Sequence, residues 1–315
     1  MMTGKAKGRG EKVSLWAVEM LVATAEEGAI TAAARRLGVS ASAVSQQIVA
    51  LEAALGAELV DRTARPFGLT AAGRAFLPHA EAMLDELARG RAGVGLADPA
   101  GLRSFRLGMI EDFEAEVTPL LLAGMGAELT ACRFLLETGP SHRLAAQLEA
   151  RALDMVVAAE IEAAQEGVER HPLLSEPLIA VWPQGLVGAD LPLLHYSRRT
   201  LMGQQIAAYL GRIGESPGHR FEIDSTPAIL AMVAAGQGWS ILTPSGVLHG
   251  KRAGVALAPL RGPGMSRRIV LSARASTMGD LPGAVAQRLR GLLAERIVAP
   301  ALAEAPWLAA SLRVE

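Results

Sequence analysis

The sequence predicts a multidomain α/β protein, and three observations carry that prediction. The chain has 315 residues, more than one compact core usually holds, so two or three domains are expected. The first seventy residues contain short amphipathic helical segments separated by glycines. From Phe105 onward, short apolar runs alternate with helical segments, which is typical of α/β organisation with mainly parallel strands.

Composition and charge narrow the class of protein. Hydrophobic residues make up 50% and charged residues 20% of the chain, as in a packed globular protein. The apolar runs end at Gly or Pro before membrane-spanning length, and the N-terminal residues are polar, so we expect a cytoplasmic protein without a membrane segment. The formal net charge of −1 gives no electrostatic sign of nucleic-acid binding. Any prediction of DNA binding must therefore rest on the residue pattern.

Residue types that carry chemistry are sparse. The single cysteine, Cys132, cannot form an internal disulfide, and next to an apolar run it is more typical of a core position than of a redox sensor. The six histidines are scattered, and neither a His-Glu-x-x-His nor a Gly-x-Ser-x-Gly motif occurs. We therefore predict no catalytic residues, no metal and no cofactor, with an enzyme whose site lies in a sheet crevice as the alternative.

The N-terminal region is predicted to form a helix-turn-helix. Three helices are expected, each followed by a glycine that can end it: 14–27 before Gly28, 32–37 before Gly38, and a third that runs to Leu55 before Gly56. Thr31 is expected to cap the second helix, and Ser40 or Ser42 the third. Two short helices around a glycine turn make this motif.

The third helix has one apolar and one polar face. Val44, Ile48, Leu51 and Leu55 recur at helical spacing and form the inward stripe. The opposite face carries these polar side chains: Ser42, Ser45, Gln46 and Gln47. Gln can pair with adenine in the major groove, and Ser can bond to a base edge or a phosphate. The face is thus predicted to read DNA, with an ordinary solvated face as the alternative.

A longer pattern supports the DNA prediction. It comprises Ala29–Ser40, Ala43–Ile48, Leu51-Glu52, Leu55-Gly56, Leu59–Arg62 and Leu69–Gly73. This pattern resembles the DNA-binding domain of LysR-type transcription regulators nearly position for position, except that Ala41 and Val60 stand where the family usually has Gln and Phe. The resemblance implies a winged helix-turn-helix over residues 1–70 that binds double-stranded DNA. The implied contacts are Thr31, Ser40, Ser42, Ser45, Gln46, Gln47, Arg62 and Arg65.

In the implied wing, 59–70, Arg62 and Arg65 would approach phosphate or the minor groove. The alternatives are a solvated loop position for Arg65, and for Arg62 an ion pair with Asp61 or Glu58 that holds the wing in place.

A connecting helix is predicted over 71–94, capped by Thr70, with Pro78 suggesting a kink. In LysR-type proteins the matching helix pairs with its counterpart in a second subunit, so the resemblance implies a homodimer and a homotetramer of paired dimers. Packing of the helix onto its own domain is the alternative. RNA polymerase is a further candidate partner. Residues 95–102 are interpreted as a hinge.

The remaining two hundred residues contain these predicted strands: 105–110, 134–137, 155–159, 178–182, 193–196, 221–223, 241–242 and 269–272. Leu153–Val157, Pro177–Val181 and Val233–Pro244 resemble the effector domain of LysR-type regulators, itself similar to periplasmic solute-binding proteins. That resemblance implies two lobes joined by two crossing strands, with a small-molecule effector of unknown identity between them. Lobe one is expected at 103–175 and 267–300, lobe two at 176–266, and a C-terminal tail at 301–315. A solute-binding receptor without DNA activity is the alternative that this half alone would favour.

Effector contacts are expected where loops meet helix N-termini. Ser141 and His142 begin a helix, although Ser141 could simply be its cap. The other candidates are Ser197, Arg198, Thr200, Asp224, Ser225 and Thr226 across the cleft, and Met109, Ile110, Glu111 and Asp112 at the end of the first strand. The two acids would repel a carboxylate, which favours a cationic, amino-bearing or neutral effector. Alternatively, they cap the helix that follows.

Overall fold

The computed structural model describes residues 12–62, 67–93, 102–130, 132–161, 167–216, 218–249, 253–275 and 277–315. The chain divides into two compact units, residues 1–91 and 92–315. The first is called the amino-terminal unit below, and the second the carboxy-terminal unit.

Helices and one short hairpin form the amino-terminal unit. In chain order the elements are α1 (Leu15–Glu27), α2 (Ile30–Leu37), α3 (Ala41–Leu55), β1 (Val60–Asp61), β2 (Gly68–Leu69) and α4 (Ala71–Gly93), with β1 and β2 antiparallel. Gly28, Gly38 and Gly56 have φ values of 65°, 68° and 67°, a region that glycine enters without strain. The three predicted helix stops are therefore confirmed.

The capping predictions have mixed outcomes. Thr31 is not the cap of α2, because the helix begins at Ile30 with Ala29 as its extended N-cap residue. Ser40 caps α3 by accepting a hydrogen bond from the backbone N–H of Ala43 at 3.1 Å. Thr70 accepts from the N–H of Gly73 at 2.9 Å and donates to the carbonyl of Glu58 at 2.6 Å. Thr70 therefore ties the start of α4 to the chain that precedes β1.

The core of the amino-terminal unit is built from the inward stripes of its helices. Val44, Ile48 and Leu51 of α3 are buried, as their spacing predicts, and pack with residues of α1. The inward prediction is wrong for Leu55, the last residue of α3, which is 37% exposed. Ala80 and Leu84 of α4 join the same core, so the first part of this helix packs onto its own unit. Pro78 lies inside α4, as the sequence indicates.

The carboxy-terminal unit contains a large mixed sheet. Within the described residues its order is β13-β6-β12-β5-β3-β4. The bounds are β3 (Ser104–Met109), β4 (Arg133–Thr138), β5 (Met155–Ala159), β6 (Val168–Pro177), β12 (Ser266–Arg274) and β13 (Arg313–Val314). Strand β3 is parallel to β4 and β5, whereas β12 is antiparallel to both β5 and β6.

The smaller sheet has β7 (Ile179–Pro183) at its centre, flanked by antiparallel β10 (Ser240–Leu242) and β11 (Val255–Ala258). Parallel strands β8 (Leu193–Tyr196) and β9 (His219–Ile223) lie beside β10, where the N–H of Leu194 donates to the carbonyl of Trp239 at 2.8 Å. The helices of this unit are α5 (Thr118–Glu128), α6 (Ser141–Glu149), α7 (Leu201–Arg212), α8 (Thr226–Ala234), α9 (Pro244–His249), α10 (Leu281–Leu293) and α11 (Ala299–Glu304).

The prediction of mainly parallel strands is wrong. The chain leaves the large sheet along β6 and returns along β12, so these two neighbours must run antiparallel, and β7 also has antiparallel partners. The sequence reasoning also missed β6, because Glu169, Arg170, His171 and Pro172 interrupt its apolar pattern. The division into two lobes and the boundaries of the lobes stay a prediction.

The last fifteen residues are not a free tail. Leu308 and Leu312 are buried in the main core, and β13 pairs with β6 at Ser175 and Leu174. Burying these apolar side chains in the core is more favourable than leaving them in water. The prediction of a tail over 301–315 is therefore wrong, because this segment packs onto the carboxy-terminal unit. The predicted hinge falls on residues that lie, except for Leu102, outside the described part of the chain.

Candidate functional site

The polar face of α3 lies at the surface of the amino-terminal unit. Ser42 and Gln46 are exposed, and Ser45 and Gln47 are half-buried, while Val44 beneath them is fully buried. Ser40 and Thr31 are exposed as well. The described residues of the predicted DNA-contacting set therefore all reach solvent or lie at its margin; Arg65 lies outside the described residues.

A groove of about 450 Å³ runs between α2, α3 and the hairpin. Thr31, Ser45 and Arg62 line it together with the hairpin residue Phe67. Three residues that were predicted to contact DNA, each from a different element, thus line one concave surface. Hydroxyl and guanidinium groups of this kind are the donors that usually bind phosphate in protein–DNA interfaces.

Glu52 holds the hairpin against α3. Its buried carboxylate accepts hydrogen bonds from the N–H groups of Leu59 and Val60, at 2.8 and 3.0 Å, and from Nη2 of Arg62 at 2.6 Å. Arg62 therefore pairs with an acceptor that the sequence reasoning did not name. Because its side chain is still 55% exposed, Arg62 is held in place without being withdrawn from the surface.

We expect Glu52→Ala to lower the free energy of unfolding by about 2–3 kcal/mol, because a buried N–H that loses its acceptor costs about 1–3 kcal/mol. Urea unfolding of the full chain, followed by circular dichroism, measures this. Glu58→Ala is the matched control, since the hydrogen bond from Thr70 uses only the backbone carbonyl of the exposed Glu58. Equal stability of the two variants would contradict the assigned role of Glu52.

The carboxy-terminal unit contains a cavity of about 1000 Å³ between the ends of β3, β4 and β5 and the start of β12 on one side, and the β8–β9 pair with the start of α7 on the other. These residues predicted to contact an effector line it: Ile110, Glu111, Asp112, Ser141, His142, Thr200, Asp224 and Ser225. Met109, Ser197 and Thr226 are buried and do not line it, and Arg198 is exposed outside it. Lining residues that the sequence reasoning missed include Glu160, Tyr196, Gln205, Arg267 and Arg268.

Ser141 connects two walls of the cavity. It is the first residue of α6, and Pro140 occupies the N-cap position, so the alternative that Ser141 is merely the cap is wrong. Its Oγ instead accepts a hydrogen bond from the N–H of Ala159 at 3.1 Å, at the end of β5. The start of α6 is thereby fixed to the neighbouring strand.

On the opposite wall, Thr200 caps α7. Its Oγ1 accepts from the N–H of Gly203 at 3.1 Å and donates to the carbonyl of Ser197 at 2.7 Å. Ser197 and the N–H of Arg198 both donate to Glu222, at 2.9 and 2.8 Å, and these bonds lower the pKa of the Glu222 carboxyl. Ser197 and Arg198 therefore hold the loop before α7, while Thr200 faces the cavity.

A cluster of charged groups lies where β6 and β12, called the crossing strands below, meet the cavity. Arg267 of β12 stands opposite Glu176 of β6 in the strand register. Its Nε and Nη2 lie 2.8 and 2.7 Å from Oε1 of Glu176, and Nη2 also donates to the carboxylate of Asp112. Ser245, at the start of α9, donates to Oε2 of Glu176 at 2.8 Å. Asp112 therefore pairs with Arg267, and this crossing-strand cluster joins elements beside both sheets.

Burial and charge oppose each other in the crossing-strand cluster. The Glu176 side chain is fully buried, and those of Arg267 and Asp112 are each 10% exposed. Burial alone would lower the pKa of Arg267, but the charges of Glu176 and Asp112 and their hydrogen bonds outweigh it and raise the pKa above its ordinary value. One guanidinium faces two carboxylates, so the three ionised groups carry a formal charge of −1.

The same negative charge acts on Tyr196, which lines the cavity. Burial disfavours the phenolate and is the main reason that the pKa of Tyr196 is raised; a hydrogen bond with Thr226 opposes the shift, and the charges of Asp112 and Glu111 add to it. Arg267 acts in the opposite direction, so Glu111 and Asp112 contribute negative charge to the wall beside Tyr196 while Arg267 offsets part of it.

Metal and membrane sites receive no support from the part of the chain that is described. Its His, Cys, Asp and Glu side chains form no group of three or more that could hold a metal ion. No described helix combines the length and the apolar character that a membrane span needs.

Comparison with known proteins gives matches to both units. The family model described as "Bacterial regulatory helix-turn-helix protein, lysR family" matches residues 15–74, and the "LysR substrate binding domain" matches residues 101–297. A probable hydrogen peroxide-inducible genes activator of Mycobacterium avium is 33% identical over 279 residues, which cover 82% of this chain and 87% of the relative. An SDS degradation transcriptional activation protein of a Pseudomonas species is 30% identical over 289 residues, covering 86% and 92%.

Solved structures agree with these matches. A hydrogen-peroxide-bound mutant of Corynebacterium glutamicum OxyR superposes with a TM-score of 0.72 at 25% identity, covering 93% of this chain and 97% of that one. Full-length BenM shares the fold with a TM-score of 0.53 at 20% identity, covering 90% and 97%. The chain therefore belongs to the LysR family of bacterial DNA-binding transcription regulators, with an N-terminal helix-turn-helix domain and a C-terminal effector-binding domain.

Proposed function

We propose that α3 reads a specific operator in double-stranded DNA, and that a small molecule in the cavity of the carboxy-terminal unit controls this binding. The observation that carries the DNA part is the polar face of α3 beside a groove lined by Thr31, Ser45 and Arg62. A helix that enters the major groove reads bases with side chains such as Gln46, while hydroxyl and guanidinium groups at its flanks hold phosphates.

The coupling is proposed to pass through the crossing strands. Strands β6 and β12 lead from one sheet to the other, and the crossing-strand cluster lies on both of them. Asp112 and Arg267 belong to this cluster and also line the cavity. An effector that binds there changes how the sheets close on each other, which rearranges the subunits and alters the DNA bend.

A homodimer, and a homotetramer built from paired dimers, is proposed for the assembly. Leu15 and Trp16 of α1 and Leu87 of α4 are large apolar side chains exposed by 45%, 41% and 42% in the amino-terminal unit. Exposed apolar side chains on these helices are suited to a second copy, and a two-fold dimer presents two copies of α3 to a two-fold DNA site. RNA polymerase stays a candidate partner, and the proposed site of action is the bacterial cytoplasm, without catalytic activity.

Peroxide sensing by a disulfide is not part of the proposal, although the Mycobacterium relative is named a peroxide-inducible activator. A disulfide within these 315 residues needs two cysteines, and the sequence has one. Cys132 directly precedes β4 and is not among the residues that line the cavity. Reversible binding of a small molecule is therefore proposed instead of cysteine oxidation.

We expect purified protein to retain DNA from its own upstream intergenic region in the presence of excess random competitor. Gln46→Ala should weaken this specific binding about 5- to 150-fold, because one bidentate base contact is worth about 1–3 kcal/mol. An electrophoretic mobility assay at fixed salt measures both affinities. Gln204→Ala, the same substitution at an exposed position of α7, is the control and should bind as the unaltered protein does. No preference for upstream or selected genomic fragments over random DNA would contradict the proposed function.

A further inference from the structure

We propose that the effector carries a cationic amino group, which Glu111 and Asp112 hold against the wall of the cavity beside β3. This inference rests on the proposed role of the cavity as the effector site. Three observations support it: the charges of the residues that line the cavity, the ion pairs that Arg267 and Arg268 already make, and the effect of nearby charges on the hydroxyl of Tyr196.

The lining has an excess of negative charge. Among the described residues that line the cavity, the carboxylates are Glu111, Asp112, Glu160 and Asp224, and the guanidinium groups are Arg267 and Arg268. With His142 neutral, these groups carry a formal charge of −2. Outside the lining, the fully buried Glu176 takes two contacts from Arg267. Arg199 and Arg170 lie 3.7 and 3.9 Å from Asp224 and Glu160 and partly compensate these two carboxylates. The proposal therefore rests on the wall where Glu111, Asp112 and Glu176 face Arg267.

Both arginines already bind carboxylates of the protein. Arg267 is held between Glu176 and Asp112. Arg268 lies 3.4 Å from Glu160 and 2.8 Å from Glu315. An anionic effector would have to replace one of these carboxylates and would meet the repulsion of the others, whereas an ammonium group would reduce the excess charge of the wall.

Tyr196 lines the same cavity, and the charges of Asp112 and Glu111 disfavour its phenolate, whereas Arg267 acts in the opposite direction. Ile110, Leu201 and Met202 supply apolar surface in the same cavity, and Thr200 and Gln205 supply uncharged polar groups. The class of ligand that fits is a small primary amine with a partly apolar body.

The test uses matched probes on the full chain. Two skeletons are each supplied as an amine, as its N-acetyl amide and as a carboxylate. The first series is 2-phenylethylamine, N-acetyl-2-phenylethylamine and 3-phenylpropanoate, and the second is 1,4-diaminobutane, its diacetyl derivative and hexanedioate. Calorimetric titration gives the affinities. We expect at least one amine to bind at least tenfold more tightly than its amide and its carboxylate. A hydrogen bond to a charged group is stronger than a hydrogen bond between neutral groups, and the difference in free energy corresponds to about tenfold in affinity.

Two variants locate the effect. Glu111→Gln should weaken amine binding about tenfold and leave amide binding unchanged. Glu114→Gln removes the same charge three residues away, at an exposed position outside the lining, and should change neither. Because the Glu111 side chain is exposed, we expect Glu111→Gln to fold as the unaltered protein does, and circular dichroism checks this.

The inference is overturned if the carboxylates bind and the amines do not, if no amine in the panel binds, or if Glu111→Gln and Glu114→Gln behave alike. The proposed function is tested separately in the operator assay. An amine that binds through Glu111 but leaves operator affinity unchanged supports this inference and contradicts the regulatory role of the cavity.

Discussion

Arg267→Met is expected to lower the free energy of unfolding by about 3–5 kcal/mol, because removing one partner of a buried ion pair leaves uncompensated charge behind. Glu176 is fully buried and Asp112 is 10% exposed, so neither carboxylate can regain the hydration it would need. Chemical denaturation of the full chain, monitored at several wavelengths to separate the two units, measures the loss.

Arg268→Met is the matched control for this experiment. Arg268 is the next residue of β12, but its side chain is 50% exposed and its partner Glu160 is 31% exposed. Its other partner, Glu315, is 14% exposed but keeps a second cation, Arg313, at 3.8 Å. Exposed pairs contribute about 0–1 kcal/mol, so this variant should change stability little. Adding Glu176→Gln to Arg267→Met should recover part of the loss, since it removes one of the stranded charges. A loss below 1 kcal/mol for Arg267→Met would show that the crossing-strand cluster does not stabilise the fold.

The crossing-strand cluster also shows which parts of the structure the sequence could not predict. Helix stops and the faces of α3 depend on local spacing, so Gly28, Gly38 and Gly56 were identifiable from a short window. Arg267 and Glu176, by contrast, are 91 residues apart in the chain, and Asp112 is 155 residues from Arg267. No motif links them, and β6 itself was missed because its polar residues interrupt the strand pattern.

The residues that line the cavity were predicted in part, because only some of them lie at positions that a sequence pattern marks. Glu111, Ser141 and Thr200 each follow the end of a strand or begin a helix, which is where an α/β cleft collects its lining, and they do line the cavity. Met109 and Ser197, by contrast, point into the protein and are 1% exposed. Residues contributed by a crossing strand itself, such as Arg268 of β12, give no such positional signal. The assignment of effector contacts therefore stays a prediction.

The wing of the DNA-binding unit depends on a close backbone approach at Gly73. A Cβ added at Gly73 would lie 2.0 Å from the carbonyl oxygen of Leu59, which itself accepts a hydrogen bond from the N–H of Thr70 at 3.0 Å. Backbone on both sides of the contact leaves no flexible side chain to move, so the start of α4 and β1 must separate. We expect Gly73→Ala to lower the free energy of unfolding by about 3 kcal/mol or more, with the hairpin that carries Arg62 displaced.

Gly90→Ala provides a control within α4, because a Cβ at Gly90 would meet nothing within 4 Å. Alanine in a helix is favoured over glycine by about 1 kcal/mol, so this variant should be as stable as the unaltered protein or slightly more stable. Thermal unfolding and operator affinity are measured for both variants. If the wing supplies phosphate contacts through Arg62, Gly73→Ala should also lose affinity at temperatures where the protein is still folded, whereas Gly90→Ala should not. Unchanged operator binding by a folded Gly73→Ala protein would remove the hairpin, but not α3, from the proposed DNA interface.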